Sequence, residues 1–296
     1  MFLRRSLPWV GANNDDGLVF KELEQAYYNY QTQLQKLDLY QKLDSIYAKF
    51  AYSAKRRFEL GETNYLENVT AKAKQKEITI QKNKAIQEVK NWLLQLQLLV
   101  QSKDSLVIKK ETPNRLDFNS YDLNVGLEKQ YLENRLQLSI AQKHLQNQGF
   151  LPDLSLEYFQ GTNNELDNTL YGVQFGIKLP LLFFGQKSKA KAAKLQADIV
   201  ATENILLSKT LQKEKREKQN LLSQYDAELT YYENEGKVLS EQLLKVAQAG
   251  FKNGEIDFFQ YIQTLENAYT IELNYLEALN QYNQTLISIN YLSFSN

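Results

Sequence analysis

The sequence predicts a mainly α protein of long antiparallel, coiled-coil-like helical hairpins with one transmembrane-type β-hairpin. Three observations predict it. One helix–turn–helix segment occurs twice, 193 positions apart. Four prolines and twelve glycines in 296 residues leave room for very long uninterrupted helices. One stretch alone, between residues 154 and 179, changes from a helical to a two-residue apolar period.

The repeat is read directly. Phe58-Glu59-Leu60-Gly61-Glu62-Thr63-Asn64-Tyr65-Leu66-Glu67 returns as Phe251-Lys252-Asn253-Gly254-Glu255-Ile256-Asp257-Phe258-Phe259-Gln260. Apolar positions stay in phase downstream without a gap: Val69 with Ile262, Ile78 with Ile271, Ile86 with Leu279, Leu94 with Ile287. Each copy of such a repeat is a supersecondary unit that buries its apolar face against its neighbours. The expected organisation is an irregular segment over 1–17, a first repeat over 18–148 and a second over 149–296. The second holds a β-hairpin at 151–181 and a helical hairpin at 185–293.

In chain order, Met1 to Gly17 carries Arg4 and Arg5, but Leu7 to Ala12 is too short for a signal-peptide core and is broken by Pro8 and Gly11. Val19 to Leu60 reads as a helix, with Leu39, Leu43, Ile46, Phe50 and Ala54 at steps of four and three. Asn64 to Val100 reads as a second helix, Leu106 to Asn119 with Pro113 as a non-helical connector, and Tyr121 to Gln148 as a third helix. A fourth is expected over Gln186 to Gly250, roughly 90 Å long at 1.5 Å per residue. Its stripe Leu222, Tyr225, Leu229, Tyr232, Leu239, Leu243 and Val246 steps by three and four, the pattern of a left-handed supercoil seam. The fifth, Asp257 to Leu292, has two stripes: Ile262, Leu265, Tyr269, Leu273, Leu276, and Ala268, Ile271, Tyr275, Ala278, Tyr282, Ile289. A helix apolar on two sides needs neighbours on two sides, which an antiparallel bundle core supplies.

Between the third and fourth helices, Leu154, Leu156 and Tyr158 alternate with Ser155 and Glu157. After a polar loop from Gly161 to Thr169, Tyr171, Val173, Phe175, Ile177 and Leu179 alternate with Gly172, Gln174, Gly176 and Lys178. Period two over about ten residues is the pattern of a membrane β-barrel strand. A half-buried hairpin lying on a helix gives the same alternation. An isolated two-stranded ribbon is marginal in water, and in lipid its open edges leave backbone groups unsatisfied, so further strands must complete it.

Other signals are bland. Thirty-five basic and thirty-five acidic residues cancel, giving no field for nucleic acid. The absence of cysteine excludes disulfides, thiolate metal sites and a lipidated N-terminal cysteine. No apolar run reaches the 18 or so residues a membrane helix needs. His144 is the single histidine and lacks the companions of a metal site. Lys213 to Lys218 mixes signs as a solvated helix face does. Asn163, Asn164, Glu165 and Asp167 do not follow the EF-hand order and read as a loop. No phosphate loop, nucleophile elbow or carboxylate pair suggests catalysis, and no cofactor is implied. Gly61 and Gly254 close long helices, and Asn64 with Glu67, and Asp257 with Gln260, stand at N-cap and N3 spacing.

Strands feeding a very long helix, a Gly-marked turn and a return helix, all duplicated, resemble the TolC family of outer membrane efflux proteins. The sharpest segments are Leu151-Pro152-Asp153-Leu154-Ser155-Leu156, Ile177-Lys178-Leu179-Pro180-Leu181-Leu182-Phe183-Phe184-Gly185 and the two Phe-x-x-Gly turns. Gly185 to Lys194 and Gly254 to Leu292 look most like heavy-metal members of the CusC/CzcC type from Bacteroidota. The resemblance implies a homotrimer in which each protomer gives four strands to a twelve-stranded barrel in outer membrane lipid, continued by a periplasmic helical tunnel. It implies a passive exit duct of a tripartite pump, with a periplasmic adaptor (membrane fusion protein) and an inner-membrane RND pump as partners. Adaptor docking then falls on the turns at Phe58, Gly61, Glu62, Tyr65, Phe251, Gly254, Glu255 and Phe258, with exposed Tyr65, Phe258 and Phe259 giving apolar contact. Lipid contact falls on Leu154, Leu156, Tyr158, Tyr171, Val173, Phe175, Ile177 and Leu179. A soluble coiled-coil scaffold or periplasmic adaptor without channel activity is the rival reading.

Shifting the hairpin back by one repeat places its twin before Met1, so the sequence reads as a fragment or fusion part lacking one strand pair, the preceding helix and an export signal. Stripes such as Ile271, Tyr275 and Tyr282 are then expected to be exposed. A trimer with one strand pair per protomer offers six strands, below the eight of the smallest bacterial barrels. Residues 1–296 alone should therefore fail to conduct in planar bilayers, and a chain extended upstream by the missing strands and helix should conduct. Stable conducting trimers of the 296 residues alone would contradict the repeat arithmetic.

Overall fold

The computed structural model describes residues 15–101, 106–117, 126–163, 168–179 and 183–291. The elements are α1 (Asp15–Glu59), α2 (Tyr65–Val100), α3 (Gly126–Gln148), β1 (Asp153–Asn163), β2 (Asn168–Lys178), α4 (Phe183–Tyr231), a π-helical turn (Tyr232–Gly236), α5 (Lys237–Asn253) and α6 (Phe258–Asn290). Helix α1 begins at Asp15, within the segment read as irregular. Neither α1 beyond Leu18 nor α2 nor α6 contains glycine or proline, so nothing interrupts their hydrogen-bond ladders. The chain divides into two units, residues 1–123 with 214–296, and residues 124–213.

In the first unit α6 is held on two sides, as its two stripes require. Ile262, Leu265 and Tyr269 join Leu39, Leu43 and Tyr47 of α1 in one core cluster; Ala278, Leu279, Tyr282 and Leu286 join Leu229 of α4 in another. Tyr282 is buried and Ile271 and Tyr275 are half-buried, so the exposure expected of them is not found. Leu222, Tyr225 and Leu229 of α4, with Tyr232 and Gly236 of the π turn, cover this face instead. Farther along, the α1–α6 seam becomes polar. Thr32 donates to Asn280 Oδ1 at 3.3 Å, Asn280 Nδ2 to Asn29 Oδ1 at 2.8 Å, and Gln284 to the Gln25 carbonyl at 2.9 Å. Leu23, Ala26 and Tyr30 pack α1 on Leu96 of α2 in a third cluster.

The heptad stripe expected through α5 is displaced. Leu229 is fully buried, but Leu239 and Val246 are exposed, and Ser240 and Ala247 face inward instead. The cause is the π turn, whose i→i+5 bond from Lys237 N–H to the Tyr232 carbonyl inserts one extra residue and advances the phase by one position. The displaced face is lined with small residues. A Cβ on Gly236 would stand 2.9 Å from the Tyr232 ring and 3.4 Å from Ile271. Ser240 Oγ donates to the Ala268 carbonyl at 3.1 Å, so α5 and α6 meet almost backbone to backbone.

The connector 106–117 is non-helical, as expected, and is strapped to the helices by two buried amides. Gln31 donates to the Lys109 carbonyl and accepts from Glu111 N–H, both at 2.9 Å. Asn283 donates to the Asn114 carbonyl and accepts from Leu116 N–H, both at 3.0 Å. Each side chain reproduces one rung of a β ladder. Arg115 follows, paired with Asp226 and lying 4.8 Å over the Tyr282 ring. In the second unit, Gln186 Nε2 donates to the Gln146 carbonyl at 2.5 Å and Asn204 to the Leu132 carbonyl at 2.9 Å, tying α4 to α3.

Asn283→Leu keeps the heavy-atom branching but strands the carbonyl and the N–H of the strap. It should cost about 1–3 kcal/mol in chemical denaturation and open 106–117 to proteolysis. Unchanged stability together with an unchanged digestion pattern would show that the clamp is not structural.

Candidate docking turns and exposed hairpin

Two helical turns and one β-hairpin carry the residues singled out by the sequence. The turns are built alike. Gly61 and Gly254 have φ of 77° and 73°, the left-handed region open to glycine without Cβ strain. Glu62 N–H bonds the Arg57 carbonyl and Glu255 N–H the Gly250 carbonyl, both at 2.8 Å, so each helix closes with the six-to-one bond of a Schellman turn. The return helices are capped as their spacing predicts. Asn64 Oδ1 accepts from Glu67 N–H at 2.9 Å. Asp257 and Gln260 form a reciprocal capping box at 2.8 and 3.1 Å.

Equivalent positions of the two turns nevertheless meet different surroundings. In the first, Phe58 and Tyr65 touch each other at 5.6 Å between ring centroids, and both stay exposed beside Leu60, Leu66 and Val69. In the second, Phe251 stacks on Tyr261 at 4.8 Å, and Phe50 of α1 sits within 5.3 Å of Phe251, Phe258 and Tyr261. Phe258 is only 4% exposed, so the apolar contact expected of it is not at the surface, whereas Phe259 beside it is exposed. Glu62 and Glu255 are exposed. A groove of about 780 Å³ runs between the turns, lined by Ser53, Arg57 and Glu67 on one side and by Phe251, Gly254 and Ile256 on the other. Glu67 had no role beyond its N3 place in the sequence reading. It is buried, accepts from Arg57 Nη1 at 2.9 Å and from the Thr63 hydroxyl, and so staples α1 to the start of α2.

The hairpin pairs antiparallel from Asp153↔Lys178 to Asn163↔Asn168. The strands reach further than the alternation did, into the stretch read as a loop from Gly161 to Thr169. The backbone ladder continues through Gly161↔Leu170 and Thr162↔Thr169 without needing alternating side chains. Of the residues weighed as a calcium loop, Asn163 ends β1, and 164–167 lie outside the described residues. One face carries Leu154, Leu156, Tyr158, Tyr171, Val173, Phe175 and Ile177, all exposed, from 59% at Val173 to 80% at Phe175. Leu179, just past β2, is exposed too. Tyr158 and Tyr171 stack at 6.4 Å toward the loop end. The other face holds Ser155, Glu157 and Gln174, and also Phe159 and Leu170, which the alternation did not single out. Phe159 lies across Gly172, where a Cβ would come within 2.2 Å of its ring. Phe159 is therefore the reason for the glycine opposite it.

Among the described residues no group of three or more His, Cys, Asp or Glu is placed to hold a metal, and no helix is long and apolar enough to cross a membrane. A Cβ at 254 would meet no atom within 4 Å, so the cost of a side chain there begins in the backbone, at φ 73°. Gly254→Val should cost about 2 kcal/mol, and Gly254→Asn clearly less, read as shifts of the denaturation midpoint. Equal costs for the two variants would refute the left-handed requirement.

No protein-family model matches the sequence, and no curated protein matches it. Solved structures do. A membrane protein from Pseudomonas aeruginosa superposes with a TM-score of 0.81 at 16% identity, over 95% of this chain and 69% of that one. The CmeC outer membrane channel of Campylobacter jejuni gives 0.71 at 17%, over 94% and 63%. CusC, solved in a study of its folding and transmembrane channel formation, gives 0.75 at 15%, over 96% and 69%. The chain thus spans about two thirds of the length of these proteins, and over that length it has the TolC-like fold of outer membrane channels.

Proposed function

We propose that this chain is a subunit of an outer membrane efflux channel, the passive exit duct of a tripartite pump. The observation that carries the reading is the hairpin: eleven-residue strands, the length of a transmembrane β-strand, with the apolar face open. In water that face would be a liability for a soluble scaffold or adaptor. In lipid it is the required surface, provided that strands from elsewhere close the edges. The fold shared with CmeC and CusC supports the same reading.

In this proposal the chain acts as one of three copies. Val69, Ile80, Leu94 and Leu98 of α2 fall on one helical face and are exposed, as are Leu239 and Val246 of α5, and such stripes suit side-by-side packing of helices from neighbouring copies. The two glycine turns receive a periplasmic adaptor, and an inner-membrane RND pump supplies the energy. Heavy-metal cations are the proposed cargo, on the resemblance of Gly185 to Lys194 and Gly254 to Leu292 to CusC/CzcC-type members. CusC, at a TM-score of 0.75, superposes less well than the Pseudomonas protein at 0.81, so the fold does not favour this cargo over another. A wide duct needs no tight metal site along its wall.

Arginine at Phe175 should lower membrane assembly by about 2–4 kcal/mol if the site lies near the bilayer midplane. Arginine at Gln174, on the opposite face, should be mild. Directed to the periplasm by a fused signal sequence, the native chain should fractionate with the outer membrane and the Phe175 variant should not. Equal behaviour of the two variants would refute the channel reading.

A further inference from the structure

The chain as a whole is electrically balanced, and its exposed lysines are mostly interleaved with acids, as in Lys213 to Lys218 or in the pairs Lys55–Glu59 and Lys74–Glu77. One region departs from this. From Lys178 to Ala197 the sequence holds five lysines and no aspartate or glutamate. Helix α4 turns Ala190, Ala193, Ala197 and Val200 inward and leaves Lys187, Lys189, Lys191 and Lys194 exposed. Lys178 ends β2 opposite Asp153. The Gln186–Gln146 hydrogen bond brings the last turn of α3, one turn beyond Lys143, to the same level. None of these six lysines has an ion-pair partner among the described residues; the acids beside them are Asp153, opposite Lys178, and Asp198, one turn after Lys194.

Directly against the lysines lies exposed apolar surface. Leu151 and Leu179 flank the root of the hairpin, and Phe184, 83% exposed, opens α4 just before the first of the four helical lysines. An apolar rim followed by unpaired lysines matches the order of a bilayer boundary, where the lysine stems lie along apolar surface and the ammonium groups reach the headgroups. At 1.5 Å per residue, Lys187 to Lys194 cover roughly 10 Å of helix, comparable with a headgroup layer of about 5–8 Å. The positive N-terminal end of α4 acts in the same direction.

We infer that Lys143, Lys178, Lys187, Lys189, Lys191 and Lys194 form a basic collar that binds the phosphates of anionic lipid headgroups at the root of the hairpin. The inference rests on the hairpin being the membrane-inserted element. The collar fixes the depth of insertion and makes it sensitive to lipid charge. Each lysine near an anionic surface changes partition about fivefold.

The test uses the full chain with vesicles of phosphatidylcholine alone and of phosphatidylcholine containing phosphatidylglycerol, read by co-flotation. The native chain should bind both, the anionic vesicles more tightly and with a dependence on salt. Replacing Lys187, Lys189, Lys191 and Lys194 together by glutamine, a residue with good helix propensity, should cut binding to anionic vesicles by more than about tenfold. It should leave binding to neutral vesicles and the far-ultraviolet dichroism unchanged. Equal losses on both vesicles, or none on either, would overturn the collar. Phe175→Arg separates the two readings, because it should abolish binding to neutral vesicles and leave a weaker, salt-dependent binding to anionic ones. A native chain that binds neither kind would remove the hairpin reading and the collar with it. Binding to both without preference or salt dependence would remove the collar alone.

Discussion

Helix α6 is apolar on two sides, and a helix of that kind cannot be left half-covered in water. Its two partners solve this differently. Toward α1 the seam is built of Leu39, Leu43 and Tyr47 against Ile262, Leu265 and Tyr269, and then gives way to amide and hydroxyl contacts around Asn280. Toward α5 it depends on small residues, with Gly236 and Ser240 admitting the helix to close range of Ile271 and Ala268. The ends of α6 are fixed by neighbouring devices: the capping box at Asp257 follows the Gly254 turn, and Asn283 clamps the connector. The first unit is thus referred to one helix. This explains why stripes expected to lie bare are covered inside a single chain.

The β-hairpin obeys the opposite constraint. Its ladder is internally complete, yet both faces are exposed, the apolar one along its whole length, and the outer edge of each strand carries backbone groups that the partner strand does not satisfy. Burying those groups without partners would cost several kcal/mol each. The exposed apolar face makes water a poor surrounding, and the open edges make lipid a poor one for a lone hairpin. The two demands are met together by further strands in a closed barrel. Function enters the fold here, through a surface that is incomplete by the rules governing the helical unit.

What the sequence disclosed was set by how local each cause is. The glycine turns, their caps and the strand alternation depend on a few neighbouring residues, and all are where the residues place them. The π turn was not legible, because Tyr232 to Gly236 has no strong local signature and its effect is a phase shift that surfaces only at Ser240 and Ala247. The connector was legible as non-helical, but its attachment was not: Gln31 and Asn283 stand 78 and 169 residues from the carbonyls they bind. The strands outran their pattern because hydrogen bonding continues where alternation ends. Glu67 was legible as a capping position but not as a buried anchor, since Arg57 reaches it only once the turn has closed.

The two turns carry this argument furthest. Their sequences are related position by position and their backbones close with the same bonds, so intrinsic preference makes them equal. They are unequal because Phe50 of α1 lies over the second turn and takes Phe251 and Phe258 into the core. In the first, Leu60, Tyr65, Leu66 and Val69 remain at the surface. Removing apolar area from water is worth about 25 cal/mol per Å². A helical partner laid across both turns would therefore draw most of its apolar binding energy from the first turn. The second, already packed, would act as the rigid wall that holds the groove between them open. Duplication supplied two equal turns, and the position of a single aromatic residue on a third helix made them different surfaces.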